Sequence, residues 1–153
     1  MAVTTEYSTE ITALDQDGYT PNGPTEQGGV VRVAHFNFTQ GGAAGDAGSL
    51  AVLCQMPSSR VRLLGIRAAV SALGASRTMD FGHLGYTQPD DTEVAADPDG
   101  FDADNDVSSA IVLDIQPDVV IEAKAAWRLT AQVNDGTIPA GATIKGYALY
   151  VRN

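Results

Sequence analysis

Side chains that carry catalysis or bind metals are scarce in this 153-residue chain, which has one cysteine and two histidines. A single cysteine excludes an internal disulfide and any site built from several cysteines. Basic residues are also few, since nine Lys and Arg against nineteen Asp and Glu give a formal net charge of -10. Nucleic-acid binding needs a basic face that displaces counterions, and anionic membranes attract basic segments. We therefore expect neither a nucleic acid nor a membrane as partner.

Long apolar runs are missing as well. No run approaches the ~18 apolar residues that a membrane span requires. The first residues lack the basic and apolar stretches of a secretory signal, so we expect synthesis in a cytoplasm. Aromatic residues make up only 7% of the chain, which disfavours a dedicated carbohydrate-binding surface. These deficits favour a structural or binding module over an enzyme.

Short segments rich in β-branched and aromatic residues dominate the chain from Val30 onward, separated by Gly, Pro, Asn and Asp. Long helical periodicity is absent, so the helical crossovers of a parallel sheet are missing. Two antiparallel sheets packed face to face, or one closed barrel, would bury such strands. We predict an all-β antiparallel β-sandwich over residues 30–153, with 119–126 equally compatible with the start of a short helix. The strand segments are 30–38, 49–55, 61–70, 77–86, 109–115, 119–124, 127–133 and 142–151.

Residues 1–29 differ from the rest, because they are polar, contain several Gly and Pro residues, and hold few apolar side chains. One interpretation is a terminus without fixed contacts. The other is an extended N-terminal arm that becomes ordered only against a neighbouring polypeptide. In the second case its anchors would be Tyr7, Ile11, Leu14 and Tyr19.

An acidic segment, predicted to be a long loop over 88–106, holds eight Asp and Glu between Asp90 and Asp106 and no Lys or Arg. A hard cation such as Ca²⁺ would relieve the repulsion between these carboxylates. Part of the segment resembles the first half of a calcium-binding loop, but Val107 stands where that loop needs Gly and Leu113 where it needs Glu. A solvated acidic loop without a cation is the other interpretation. The candidate ligands are Asp102, Asp104 and Asp106.

Four arginines follow one another closely in the sequence of this acidic chain. They are either surface charges paired with local carboxylates or a positive patch that receives an acidic surface of another subunit. In the second case Arg60 and Arg62 would contact the partner. The four residues are Arg60, Arg62, Arg67 and Arg77.

Cys54, His83 and Asp80 are of the residue types used in nucleophilic catalysis. Asp80 and His83, three apart in a predicted strand, would point to opposite faces of a sheet. A buried structural Cys54 and a hydrogen-bonded His83 are the simpler interpretation. We predict no enzymatic activity and no cofactor apart from the calcium alternative.

Three features of the chain occur together: a polar N-terminal segment before a β domain, the stretch 32–41 followed by a loop of small residues, and the turn and strand of 135–147. In this combination the chain resembles small virion proteins of tailed bacteriophages. The resemblance implies a jelly-roll-like sandwich that acts as a capsid decoration or cement protein. Such a protein binds the outer surface of the head and bridges major capsid subunits, often as a trimer, after assembly in the host cytoplasm. The alternatives are a receptor- or carbohydrate-binding β module of a phage head or tail fibre, and a hydrolase.

Overall fold

A computed structural model describes residues 30–41 and 48–152, which form eleven β-strands and no helix. The prediction of an all-β fold is confirmed. The strands are β1 (Val31–Thr39), β2 (Leu50–Met56), β3 (Ser59–Val70), β4 (Thr78–His83), β5 (Tyr86–Thr87), β6 (Glu93–Val94), β7 (Asp97–Asp106), β8 (Ile111–Ile115), β9 (Val119–Ala123), β10 (Trp127–Val133) and β11 (Thr143–Arg152).

The strands build two antiparallel sheets and one small hairpin. The first sheet has the order β1-β11-β3-β8, with β9 pairing the other half of β3; the second has the order β2-β10-β4-β7. The hairpin joins β5 to β6. The pairing is nested, because the first strand pairs the last, the second pairs the last but one, and so on inward. A chain folded in this way is a jelly roll, which agrees with the expectation from the resemblance.

A single hydrophobic core lies between the two sheets. In β3, Val61 and Leu63 are buried and so are Ile66 and Ala68, so the inward phase changes by one residue. The change falls at Leu64, where the register with β11 shifts, as expected for a β-bulge. The largest fully buried side chains include Trp127, Phe81, Met56 and Leu63.

Three details differ from the sequence-based prediction. The segment 88–106 is not one long loop, because 97–106 forms β7 and pairs with β4. Val119–Ala123 is a strand rather than the start of a helix. Val30, which the apolar alternation of the predicted strand 30–38 places on the same face as Phe36, precedes β1 and is 75% exposed, whereas Phe36 is buried.

Two glycines permit close contacts between neighbouring strands. A Cβ atom on Gly146 of β11 would overlap the carbonyl oxygen of Arg67 on β3. A Cβ atom on Gly82 of β4 would overlap the carbonyl oxygen of Asp97 on β7. Because both obstacles are backbone atoms, neither position accepts a side chain without displacing a strand.

Candidate functional site

Arg60 and Arg62, the two arginines expected to contact a partner, lie on the exposed face of β3. The Nε atom of Arg62 lies 2.9 Å from Asp118 Oδ1 and its Nη2 lies 3.2 Å from Oδ2, which makes a two-pronged ion pair. This pair lowers the pKa of Asp118. Arg60 Nε lies 3.2 Å from Glu122 Oε1. Both pairs agree with the interpretation as local ion pairs, and contact with a partner stays a prediction.

Charge is unevenly divided between the sheets. Two-thirds of the Lys and Arg residues lie on β1, β3 and β11 of the first sheet. Among the described residues, their acidic partners on or beside that sheet are Asp114, Asp118 and Glu122. In contrast, β7 at the edge of the second sheet carries five Asp residues and no Lys or Arg. The basic residues of the first sheet are Arg32, Arg60, Arg62, Arg67, Lys145 and Arg152.

Exposed apolar side chains stand on the outer face of β1. Val31 is 53% exposed and Val33 is 48% exposed. They lie opposite Val151 and Leu149 of β11, which are half-buried. The sequence carries a signal for this strip, since apolar residues occupy both phases of β1.

A groove of about 510 Å³ lies between β9 and the β5–β6 hairpin. Its wall on the first sheet holds Val120 and the paired Arg60 and Glu122, and its hairpin wall holds Tyr86 and Pro89. Lys124 forms an ion pair with Asp91 and donates its backbone N–H to Thr87, which fastens the hairpin to the end of β9. The groove thus combines an aromatic ring with charged groups held in place.

The three candidate calcium ligands lie on β7, where two of the carboxylates already accept hydrogen bonds from the local backbone. Asp102 Oδ1 accepts from the Ala103 N–H, and Asp106 Oδ1 accepts from the Ser108 N–H, which lowers the pKa of Asp106. Asp104 adopts a positive φ of 58°. Within residues 30–41 and 48–152, no three His, Cys, Asp or Glu side chains are grouped as metal ligands.

Cys54, His83 and Asp80 are not arranged for nucleophilic catalysis. Cys54 and His83 lie on strands that flank Leu129, so about two strand spacings, ~10 Å, separate their backbones. Burial raises the pKa of the Cys54 thiol to about 11, so it stays protonated at neutral pH. His83 Nδ1 donates to the Leu84 carbonyl oxygen at 3.0 Å. Asp80 accepts from Asn134 Nδ2 instead of binding His83.

His83 instead belongs to an aromatic cluster. Its ring centroid lies 5.2 Å from that of Tyr86, 5.6 Å from Phe101 and 6.3 Å from Trp127. Trp127 is only 1% exposed. The cluster fixes the β5–β6 hairpin against the end of the second sheet, so it serves the groove by positioning Tyr86.

The candidate anchors of the N-terminal arm lie outside the described residues, and their role stays a prediction. They are Tyr7, Ile11, Leu14 and Tyr19. In the described part of the chain, no helix is long and apolar enough to cross a membrane.

No protein-family model and no curated protein sequence matches this chain. Two solved structures contain chains with a similar fold. A chain from the capsid of Ralstonia phage GP4 superposes with a TM-score of 0.65 at 19% identity, covering 82% of this chain and 86% of that one. A chain from the cyanophage Pam1 capsid asymmetric unit gives a TM-score of 0.61 at 12% identity, covering 100% of both chains. The jelly roll described above is therefore a fold also found in the capsid structures of two bacteriophages.

Proposed function

We propose that this protein is a capsid decoration or cement protein, which binds the outer surface of a phage head and bridges neighbouring major capsid subunits. The observation that carries the proposal is the fold similarity over the whole length of both chains to a chain in a phage capsid structure. A second phage capsid structure supports it with a higher TM-score. Burial also raises the pKa of the Cys54 thiol, so Cys54 is not an activated nucleophile, which favours a structural role over a hydrolase.

Head stabilisation follows from binding to the assembled lattice. A protein that binds assembled subunits and not free ones shifts the equilibrium toward assembly. Many copies on one particle add their effects, so each contact can be weak. The net charge of -10 keeps the decorated particles apart in solution.

The partner in this proposal is the major capsid protein, and the protein acts as a homo-oligomer, with a trimer favoured. Arg60 and Arg62 would contact the capsid, because their exposed ion pairs with Glu122 and Asp118 can exchange for acidic groups there. The arm residues would contact a neighbouring subunit. The protein would assemble with the head in the host cytoplasm and remain on the capsid surface of the virion.

Virions of the phage that encodes the chain provide the test. Quantitative mass spectrometry should find copies in numbers comparable with those of the major capsid protein. Heads lacking the protein should release DNA at a lower temperature, and adding purified protein back should restore the midpoint. A few copies per particle, or heads equally stable without it, would refute the proposal.

A carbohydrate-binding role is the second candidate, and the groove between β9 and the β5–β6 hairpin favours it. Sugars stack on aromatic rings and bond to charged and amide groups, and Tyr86, Arg60 and Glu122 line this groove. A glycan array decides between the candidates. Glycan binding that is lost in Tyr86→Ala and kept in Tyr147→Ala would support this role. If the wild type binds no glycan, the carbohydrate-binding role is excluded and the cement role remains.

A further inference from the structure

Strand β1 is an edge strand, and its ladder with β11 is regular. It pairs with β11 at nine consecutive positions, from Val31 opposite Val151 to Thr39 opposite Thr143, without a register shift. In an antiparallel strand, half of the backbone N–H and C=O groups point away from the single neighbour. Among the described residues, no hydrogen bond reaches that side of 31–39, and β2 lies nearby in the other sheet without pairing to it.

One of the two edge strands of the second sheet, β7, is protected in ways that β1 is not. It carries five Asp residues, Pro98, two register shifts against β4 and a positive φ at Asp104. Charges, prolines and bulges at an edge prevent another strand from adding to it. The charged residue on β1 is Arg32, and the apolar Val31 and Val33 stand exposed beside the free edge. Of these two edge strands, β7 is therefore closed to a further strand and β1 is open to one.

We propose that residues 5–14 of a second copy of this chain add to β1 as a further antiparallel strand. This stretch contains neither Pro nor Gly, and its alternate residues include Tyr7, Thr9 and Ile11. Tyr, Thr and Ile favour strands, and strand addition combines main-chain hydrogen bonds with side-chain contacts at alternate positions. Tyr7 and Ile11 would lie along the strip formed by Val31 and Val33.

Charge complementarity supports this occupant. Residues 1–29 contain five carboxylates and no Lys or Arg. Arg32, Lys145 and Arg152, on β1 and its neighbour β11, have no carboxylate partner in the described part of the chain. An acidic strand beside β1 would therefore meet a basic border, whereas beside β7 it would meet like charge.

The linking segment, residues 15–29, is long enough to carry the strand to a second copy. The residues next to β1 include Pro21 and Pro24, and proline cannot donate to a sheet ladder, so the adjoining segment is a poor hairpin partner for β1. Residues 15–29 can span about 50 Å when extended, whereas β1 is only about 30 Å long. The strand can thus reach a neighbour, and copies that each give and receive one strand form a closed ring when the rotation between them closes.

The first test is the oligomeric state of the full-length protein at micromolar concentration, measured by sedimentation velocity. The wild type should be an oligomer. Val33→Asp should raise the dissociation constant at least tenfold, because it places a negative charge beside an acidic strand. Val112→Asp, on β8 of the same outer face and 54% exposed, should leave the oligomer intact. Equal effects of both substitutions, or a monomeric wild type, would overturn the proposal.

A second test locates the added strand by disulfide formation in a Cys54→Ser background. A mixture of Ile11→Cys and Val33→Cys proteins should give a cross-linked heterodimer, and Val112→Cys should not replace Val33→Cys. A protein carrying both Ile11→Cys and Val33→Cys that closes only within one chain would overturn the second-copy assignment. Both tests use isolated protein, so strand addition can fail or hold independently of head binding.

Discussion

Asp80 provides a quantitative test of the forces that hold β7 in the second sheet. It lies on β4, is 6% exposed, and accepts two hydrogen bonds. The Asp104 N–H donates to Oδ1 at 2.7 Å, and Asn134 Nδ2 donates to Oδ2 at 2.6 Å. One carboxylate thus joins β4 to the acidic strand β7 and to the turn after β10.

Hydrogen bonds to a charged group contribute about 1.5–3 kcal/mol each, so Asp80→Ala should lower the free energy of unfolding by about 4 kcal/mol. Asp80→Asn can still accept from Asp104 but places an NH₂ group against the NH₂ group of Asn134. We expect it to cost about 2 kcal/mol, which lowers Tm by roughly 4–8 °C in a chain of this size. Urea unfolding followed by Trp127 fluorescence gives the free energies, and calorimetry gives Tm.

The exchange Asp80→Asn with Asn134→Asp is the decisive variant. Its amide at 80 donates to the carboxylate at 134 and still accepts from the Asp104 N–H. The double variant should recover at least half of the stability lost in Asp80→Asn, whereas Asn134→Asp alone should be less stable than the wild type. If the two single losses simply add in the double variant, the two side chains do not interact, and this account of β7 is wrong.

Three other predictions concern close packing and the acidic groups. Gly146→Ala forces a Cβ atom against the Arg67 carbonyl oxygen, so it should cost about 3 kcal/mol or prevent folding, while Gly41→Ala, with open space around it, should be neutral in urea titrations. The pKa of Asp97 is raised by a hydrogen bond with Asp99 and, to a smaller extent, by burial and repulsion from Asp99. Because the pKa is higher in the folded state, this pair favours folding below about pH 3.8 and loses that contribution as the pH rises. Asp97→Asn should therefore raise Tm by at most a few degrees at pH 7 and not at pH 3; a gain confined to pH 3 would contradict the sign. Millimolar Ca²⁺ should shift Tm no more than the same concentration of Mg²⁺, because the β7 carboxylates are not grouped as ligands. A rise in Tm that is specific to Ca²⁺ and reversed by chelation would contradict this and support a calcium site at Asp102, Asp104 and Asp106.

Composition and alternation were enough to predict the fold class and most strands. β10 has a regular alternation from Trp127 to Val133, and the structure buries its apolar face. β7 was missed because Asp, Pro and Gly are rare in strands, and this one depends on pairing with β4 and on the anchor at Asp80. Local propensity contains no information about such a distant partner.

The candidate surfaces were harder to predict for the same reason. The partners of Arg60 and Arg62, on or beside β9, are about 60 positions away, so only the fold reveals that these arginines are already paired. The exposed Val31 and Val33 look like core residues in the sequence, and only the position of β1 at a sheet edge distinguishes them from buried valines.

The nested pairing also determines when this protein can fold during translation. Residue 31 pairs with residue 151, so the first strand has no ladder partner until residue 151 has left the ribosome. Contacts between such distant residues make folding slow, and until it is complete the valines of β1 remain open to nonspecific association. A chain that stops before β11 lacks the strand between β1 and β3, so β1 then has no neighbour in the first sheet.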